Sequence, residues 1–476
     1  MKGLRQELRA WGGGELVVAA MLVAGVIAPA FIGFKAWVPS LVLVTLAAAA
    51  AVATRRRTAV IPWVIVAYIA VYALAGLHGL GELNKLEAAK YFGPPVLAVA
   101  IATLADTQER RGRLLVLMLV VIVPQVLVTA GQAIALIAEH GRELAVSRVD
   151  QVTGTLGPDA PGTVTLVCML GAVLCLAAAL AETVSRRWAA LVGTGLLLVG
   201  VFSSTRAVYL FIPAALLPVV ALWWLRSRAR LGRVLAYAAV VAVLVPASAL
   251  GIELLYPGAN VSVRSKSELK TYLNTNTVEP KGQPQSARQS DSESPAPVDR
   301  TEVLPGRVEQ VRIALRLSVD EGPLTMLLGR GLGATSFKDD VDALEGSIRK
   351  PGLPANDVER TNGLWVSRTL TEAGWAGIAA FAGLLAWALF AAVRIWRRAP
   401  RGPDRVIALA LPGVAGLTFA GGFYITVLAV QPYASVFWLF VGLALAAVSD
   451  RRPAPVGEES EVAVQTYEPV VHGARV

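Results

Sequence analysis

Charged residues are scarce in this chain. They make up 16% of its 476 residues, whereas hydrophobic residues make up 55% and the mean hydropathy is +0.58. A soluble domain usually has about 25% charged residues, so this composition argues against the two or three soluble domains that the length alone would allow. The apolar residues occur in blocks, and about 20 helical residues suffice to cross a hydrocarbon core of roughly 30 Å. The sequence therefore predicts an all-α polytopic membrane protein.

Cysteine and histidine are also rare, with two and three copies. Cys168 and Cys175 lie seven residues apart in one apolar block, so they share a helix face and are predicted to be packing residues. Only His78, His140 and His472 remain as potential nitrogen ligands. A metal site built on Cys and His is therefore not expected, and the sequence predicts no metal and no other cofactor.

About twelve apolar blocks are candidate transmembrane helices. They are residues 15–34, 36–53, 58–79, 91–105, 114–138, 163–182, 188–203, 207–225, 233–254, 373–395, 405–429 and 433–449. The first block lacks a clear small-residue cleavage site and further blocks follow it at once, so it is predicted to be a helix rather than a signal peptide.

Basic residues cluster at every second junction between these blocks. The clusters lie at 2–9, 55–57, 110–113, 186–187, 226–233, 394–405 and 451–452. Because cytoplasmic junctions carry the excess of Lys and Arg, this alternation predicts that the clusters and both termini are cytoplasmic, in a multi-pass protein of the cytoplasmic (inner) membrane. The formal net charge of +10 is then a topology signal, and no nucleic-acid partner is expected.

One long polar stretch separates predicted helices nine and ten, and the charge pattern makes it a large extracytoplasmic loop. Residues 278–300 are rich in Ser, Pro and Gln and are predicted to be flexible. Residues 303–319 place Val308, Val311 and Leu315 at helical spacing, which predicts a short amphipathic helix on the membrane surface or on the helix bundle. The predicted organisation is transmembrane helices 1–9 in 1–254, the loop in 255–371, helices 10–12 in 372–450, and a cytoplasmic tail in 451–476.

Arg206 lies in a short junction between two apolar blocks, within VGVFSSTRAVYLFIP. Charged residues near membrane depth are expensive and tend to be functional. A guanidinium group has five fixed donors and keeps its charge, so it suits bidentate binding of phosphate. The alternative is an arginine that anchors a helix hairpin at the lipid headgroups.

Three further segments have unusual composition. Residues 148–167 form a Gly- and Pro-rich turn with Asp159 at its tip, where a carboxylate serves either as a base or ligand or as the cap of the next helix. Residues 327–337 contain G-x-G-x-G without the preceding strand of a nucleotide-binding fold, so a Gly-rich re-entrant turn is the physical interpretation. Residues 359–377 combine charged side chains with Gly374 and Gly377, which permit close approach of helices.

Taken in order, these features resemble the O-antigen ligase and O-antigen polymerase superfamily of polytopic membrane proteins, over roughly residues 70–450. GTLGPDAPGT resembles the family's Gly-containing turn before a transmembrane helix, and SSTRAVYL resembles its serine–arginine element, with Arg206 on the arginine. The stretch from GRVEQVRIALRL to GRGLGATSF resembles the external segment in which an arginine-bearing helix precedes G-x-G, and Arg307 matches that arginine. LTEAGWAG resembles the start of the following helix, with Glu372, Gly374 and Gly377 in register.

The resemblance implies metal-independent glycosyl transfer on the outer face of the membrane. Its members pass a glycan from undecaprenyl pyrophosphate to an acceptor, which is a lipid core sugar in ligases and another lipid-linked glycan in polymerases. The implied partners are this glycan donor, a glycan or lipid–glycan acceptor and membrane lipids. On this basis Arg206 and Arg307 are expected to clamp the pyrophosphate, with Arg148 as a third candidate.

One departure from the family concerns the base. Ligases carry a His-Asn pair eleven residues before the first glycine of the LTEAGWAG-like element, but here Asn362 precedes Gly363 and the loop contains no histidine. The candidate catalytic carboxylates are then Glu359, Asp159 and Glu372, with Asp357 as a further candidate base. The alternative is substrate-assisted chemistry.

The missing histidine favours a polymerase or another surface-glycan ligase over a lipopolysaccharide ligase. Two other classes remain open at this point. A lipid-linked glycan flippase or other polytopic transporter would use the same arginines but needs alternating access, and a non-catalytic scaffold for envelope assembly needs no base at all.

Overall fold

The computed structural model describes residues 13–26, 62–79, 85–145, 152–156, 161–227, 231–257, 307–335, 358, 361–399, 401–428 and 433–450. All regular elements in these ranges are helices. Before the long polar stretch they are α1 (Gly13–Val26), α2 (Trp63–His78), α3 (Lys85–Leu104), α4 (Gln108–Ile122), α5 (Pro124–Ala145), α6 (Pro161–Leu180), α7 (Arg186–Phe202), α8 (Val208–Ser227) and α9 (Leu231–Leu255). After it begins they are α10 (Arg307–Asp320), α11 (Pro323–Leu328), α12 (Trp365–Arg398), α13 (Pro403–Gly422) and α14 (Tyr433–Ser449).

The chain has the character of a membrane protein. Within the described ranges, six helical segments are long and apolar enough to cross a membrane, the first of which runs through α4 into α5: Gln108–Arg142, Gly162–Leu180, Val208–Arg226, Leu231–Leu255, Trp365–Arg398 and Pro403–Gly422. Three shorter apolar helices are Trp63–His78, Tyr91–Leu104 and Tyr433–Ser449. The second predicted span, at 36–53, and the flexible segment predicted at 278–300 lie outside the described residues.

The centre of the bundle consists of α6 and α13, whose apolar windows are almost wholly buried. Helix α6 packs against α4, α7, α8 and α13, and α13 also packs against α12 and α14. The two cysteines are buried in α6 and form no disulfide, which confirms that they pack in the core.

Small residues allow α13 and α8 to approach until their backbones touch. A Cβ atom at Gly416 would lie 2.1 Å from the Ala214 carbonyl oxygen, and one at Gly413 would lie 2.4 Å from that of Ala215. Pro218 has no N–H and therefore cannot bond the Ala214 carbonyl as a helical residue normally would. Gly416 lies directly against this carbonyl, and close backbone approach of this kind is what small residues permit at membrane helix interfaces.

One end of the bundle is tied together by a buried arginine. Arg111, in the first turn of α4, is fully buried and donates to both carboxylate oxygens of Asp404, at 2.6 and 2.7 Å. Its guanidinium also donates to Asp450, after α14, at 3.0 Å, and to the Ala105 carbonyl, after α3, at 3.1 Å. The start of α4, the start of α13 and the ends of α3 and α14 therefore meet here, together with the basic residues that follow α12.

The amphipathic helix predicted at 303–319 is α10, and it packs on α12. The tenth span was predicted at 373–395, and the part of α12 that follows its non-helical residue, Gly374, begins within two residues of the predicted start. A buried helical stretch that begins at Trp365 precedes this break, although the sequence there is rich in polar residues. The break itself lies at the centre of the candidate site.

Candidate functional site

Helix α12 is interrupted at Gly374, whose φ of +62° and ψ of −160° are rarely adopted by residues with a side chain. The carbonyls just before the interruption are bonded by another part of the chain. Arg330 N–H donates to the Thr371 carbonyl at 2.8 Å, and Gly331 N–H donates to the Glu372 carbonyl at 3.1 Å. Residues 329–335, which we call the Gly-rich segment, thus complete the hydrogen bonding that the helix has lost.

Close backbone contact explains why this segment needs glycine. A Cβ atom at Gly329 would lie 2.4 Å from the Glu372 carbonyl carbon, and one at Gly331 would lie 2.5 Å from the Cα of Gly79. A Cβ atom at Gly374 would lie 2.4 Å from the Leu327 carbonyl oxygen. The segment is therefore held between the end of α2 and the interruption of α12. Gly374, predicted to permit contact between membrane helices, admits the end of α11 instead.

The carboxylate of Glu372 is fully buried beside this interruption. Tyr91 Oη donates to its Oε2 at 2.6 Å, Arg368 Nε donates to the same oxygen at 3.2 Å, and Thr335 Oγ1 donates to Oε1 at 2.5 Å. Arg368 is only 4% exposed and also donates to Asn362 Oδ1 at 3.1 Å and to Tyr91 Oη at 3.0 Å. We call these five residues, of which only Asn362 is partly exposed, the buried polar cluster; it joins α3, the Gly-rich segment and the start of α12.

Aromatic rings cover the side of the cluster that faces the bundle. The rings of Tyr72 and Tyr91 stack with their centroids 4.7 Å apart, and Trp365 lies 5.6 Å from Tyr91. Phe381 continues the packing 6.0 Å from Trp365. Because water is kept out, the ion pair between Arg368 and Glu372 is only weakly screened, and losing either partner would leave a buried charge.

Arg307, the first residue of α10, lies over the ring of Tyr424 with its guanidinium carbon 4.4 Å from the ring centroid. The Tyr424 ring contacts Phe211 of α8 edge-on, with centroids 5.4 Å apart. The loop that carries Tyr424 also binds the start of α12, because Trp365 N–H donates to the Ile425 carbonyl at 3.1 Å. The loop arginine is thereby placed beside the start of both α8 and α12.

Arg206 is in the tight turn between α7 and α8, five residues before Phe211. The turn is strained at Ser204, whose φ is +47°. Three buried hydroxyls support it: Thr165 of α6 lies 3.0 Å from Ser203 and 3.1 Å from Thr205, and the latter two are 2.9 Å apart. Arg206 itself is partly exposed. These hydroxyls therefore hold the backbone of the turn, which lies at the same end of the bundle as Arg307.

Tyr256, directly after α9, is hydrogen-bonded to the last residue of α7, beside this turn. Tyr256 Oη donates to the Phe202 carbonyl at 2.6 Å, and burial raises the pKa of its hydroxyl to about 12. The hydroxyl therefore stays protonated and remains a donor at neutral pH.

Within the Gly- and Pro-rich segment predicted at 148–167, residues 152–156 are described and buried, and residues 161–167 form the start of α6. Two glutamines of α5 bind its backbone. Gln132 Oε1 accepts from the N–H groups of Thr153 and Gly154 at 3.0 and 2.8 Å, and Gln125 Oε1 accepts from that of Thr155 at 2.9 Å. This segment is thus held inside the helix bundle by side chains that lie in a predicted span.

Of the six candidate site residues, three are among the described residues and three are not. Arg206, Arg307 and Glu372 are described and lie at one end of the bundle. Arg148, Asp159 and Glu359 lie outside the described residues, as does Asp357, so their predicted functions stay predictions. Glu372 is covered by protein and engaged with three donors, which is the geometry of a residue that holds neighbouring elements together.

Sequence reasoning did not find Tyr91 or Thr335 as partners of Glu372. Each carries a single hydroxyl, and nothing in the local pattern pairs a residue 281 positions away with Glu372. Arg368 had a recognisable signal, because it precedes Glu372 by four residues and such pairs lie on one helix face.

Comparison with known proteins does not assign the chain to a family. No protein-family model matches the chain, and no curated protein matches it either.

Proposed function

We propose that the protein transfers or polymerises a glycan linked to undecaprenyl pyrophosphate on the outer face of the cytoplasmic membrane. The observation that carries the proposal is convergence: the SSTR turn, the arginine-bearing helix α10, the Gly-rich segment and the start of α12 are far apart in sequence and meet at one end of the bundle. These are the elements through which the sequence resembles O-antigen ligases and polymerases. Polymerase or non-lipopolysaccharide ligase activity is favoured because the loop contains no histidine.

The proposed topology has about twelve spans, both termini in the cytoplasm and the large loop outside. In its support, Arg111 and the starts of α4 and α13 mark one end of the bundle, where basic clusters 110–113 and 394–405 also lie. The candidate site is at the opposite end. Since basic clusters favour the cytoplasmic side, the site then faces outward.

In the proposed reaction the bond between the anomeric carbon of the donor glycan and its pyrophosphate oxygen breaks. A hydroxyl oxygen of the acceptor forms the new glycosidic bond and its proton passes to a carboxylate or to a phosphate oxygen. Undecaprenyl pyrophosphate leaves with an additional negative charge, and in this proposal Arg206 and Arg307 stabilise that charge with planar, permanently charged donors. Glu359 and Asp159 are the proposed bases, and Arg148 is a further proposed phosphate ligand.

The test is turnover by the purified protein in vesicles that contain undecaprenyl-pyrophosphate oligosaccharide and an acceptor glycan. We expect longer or transferred glycan together with released lipid pyrophosphate. Arg206→Lys keeps the charge but loses the planar fork, and losing a hydrogen bond to a charged group costs about 1.5–3 kcal/mol, or roughly 10- to 100-fold in rate. Arg233→Lys, on the exposed surface of α9 near its start, is the matched control and should turn over normally.

A second function, a lipid-linked glycan flippase or other transporter, is favoured by one observation. Helix α12 is broken beside a buried ion pair, and discontinuous helices with intramembrane charges are frequent in transporters. The same vesicles distinguish the two functions. Movement of labelled lipid-linked sugar across the bilayer, without any new glycosidic bond, would support transport and reject transfer.

A further inference from the structure

Helix α10 has three distinct faces. The face that packs on the bundle buries Gln310, Ile313, Ala314 and Ser318. A second face is apolar and exposed, with exposed fractions of 46% at Val308, 40% at Leu315 and 66% at Val319. Since each helical residue turns by about 100°, these three side chains lie within roughly 40° of one another. A continuous apolar stripe therefore runs along α10 beside its contact with the bundle.

The polar side chains of α10 form its third face, next to this stripe. They are Glu309, Arg312, Arg316 and Asp320, at about 40–120° from Val308 on the same helical count. Arg312 is paired with Glu309 at 3.0 Å and remains 73% exposed. The order around the helix is thus bundle contact, apolar stripe and charged edge, as in a helix that lies in a membrane interface.

Helix α11 extends the apolar surface. None of its six residues is buried, and Leu324, Met326 and Leu327 are 55%, 42% and 52% exposed. Its end is nevertheless fixed against the bundle, because the Leu327 carbonyl lies against Gly374. Because α11 is fixed in position, its exposed apolar side chains are favourably placed only if an apolar environment surrounds them.

The position of α11 along α12 gives its depth. From Gly374 to Arg394 there are 20 residues, or about 30 Å of helix, which equals the thickness of the hydrocarbon core. With the basic end of α12 at one interface, Gly374 and the adjoining α11 are at the other. Trp375 is 42% exposed at this level, and tryptophan is enriched where hydrocarbon meets headgroups.

We propose that α10 and α11 together form an interfacial hairpin whose partner is the lipid surface of the same membrane. The stripe of Val308, Leu315 and Val319 and the side chains of α11 are covered by acyl chains, and the charged edge of α10 lies among the headgroups. This assignment is independent of the glycan transfer proposed above. It concerns where the hairpin lies and not what the site does.

Spin labelling of the full chain in phosphatidylcholine–phosphatidylglycerol vesicles tests the proposal. Labels at Leu324→Cys and Val319→Cys should be more accessible to oxygen than to a water-soluble nickel complex, as should one at Leu210→Cys, an exposed residue of α8. A label at Asp320→Cys, on the charged edge, should show the reverse, with the oxygen-to-nickel ratio lower by several-fold. The parent chain, whose two cysteines are buried, is the labelling blank.

Two results would overturn the proposal. If the labels at 319 and 324 are as accessible to the nickel complex as the label at 320, the apolar surface faces water. If they are accessible to neither oxygen nor nickel, protein covers the surface, whether another segment of this chain or a second copy. Met326→Cys repeats the measurement on α11 should Leu324→Cys not yield folded protein.

Discussion

Replacement of Glu372 should destabilise the fold by several kcal/mol. Glu372→Ala removes the acceptor of three donors and leaves the guanidinium of Arg368, 4% exposed, without its carboxylate. Removing one partner of a buried ion pair costs about 3–5 kcal/mol, because the remaining charge is not solvated. Tyr91→Phe removes a single donor to the carboxylate and should cost less, about 1.5–3 kcal/mol.

A paired substitution separates the ion pair from its surroundings. Arg368→Met combined with Glu372→Leu replaces two charges by apolar side chains of similar length. Buried ion pairs exchanged in this way are often neutral or stabilising, so we expect the double variant to recover a large part of the stability that Glu372→Ala loses. The hydroxyls of Tyr91 and Thr335 would still lack their acceptor, at about 1 kcal/mol each, so recovery should be incomplete by about 2 kcal/mol.

The free energy of unfolding can be measured by titration with a denaturing detergent in mixed micelles. Amide hydrogen exchange at Arg330 and Gly331 provides a local readout, because both N–H groups bond to carbonyls next to the cluster. Faster exchange at these two amides in Glu372→Ala is expected, with little change in α6. A Glu372→Ala variant within about 0.5 kcal/mol of the parent would refute the reasoning, since surface substitutions typically have effects of that size.

Two further substitutions test the packing. Gly331→Ala should destabilise by more than about 1 kcal/mol, because φ is +111° and the added Cβ would meet the backbone of Gly79; Gly131→Ala, in an uncrowded part of α5, should be neutral or stabilising by up to about 1 kcal/mol. Equal unfolding free energies for the two variants would contradict this. Arg111→Ala should cost about 3–5 kcal/mol, whereas Arg110→Ala, which breaks an exposed pair with an acidic residue four positions earlier, should cost less than about 1 kcal/mol in the same titration.

Much of the helical architecture follows from apolar blocks alone. Helices α6, α8, α9 and α14 begin and end within about two residues of the predicted spans, because a long apolar run in lipid has no backbone partner but itself. The start of α12 was not predictable in this way. The residues from Trp365 to Ala373 include several polar side chains and become helical through contacts with α10, the Gly-rich segment and α3.

Individual residues of the candidate site could be predicted from the sequence, but the hydrogen bonds between them could not. Arg206, Arg307 and Glu372 stand out because charged side chains are rare near apolar blocks. The hydrogen bonds from Tyr91 and Thr335 to Glu372 depend on three-dimensional packing. A local sequence pattern cannot predict a contact between residues so far apart in the chain. The interruption at Gly374 likewise depends on close contact with Leu327 and Gly329. The glycine itself indicates only that an unusual backbone conformation is possible at this position.

The hydrogen bonds that cross the interruption also constrain the order in which the protein is assembled. Until Arg330 and Gly331 bind, the carbonyls of Thr371 and Glu372 lack these donors, and an unpaired carbonyl away from water is costly. Because the Gly-rich segment precedes α12 along the chain, ribosomal synthesis delivers it first. A circular permutant that placed residues 307–335 after α14 would insert α12 with those carbonyls unbonded and should mature more slowly, although every contact of the finished fold would be the same.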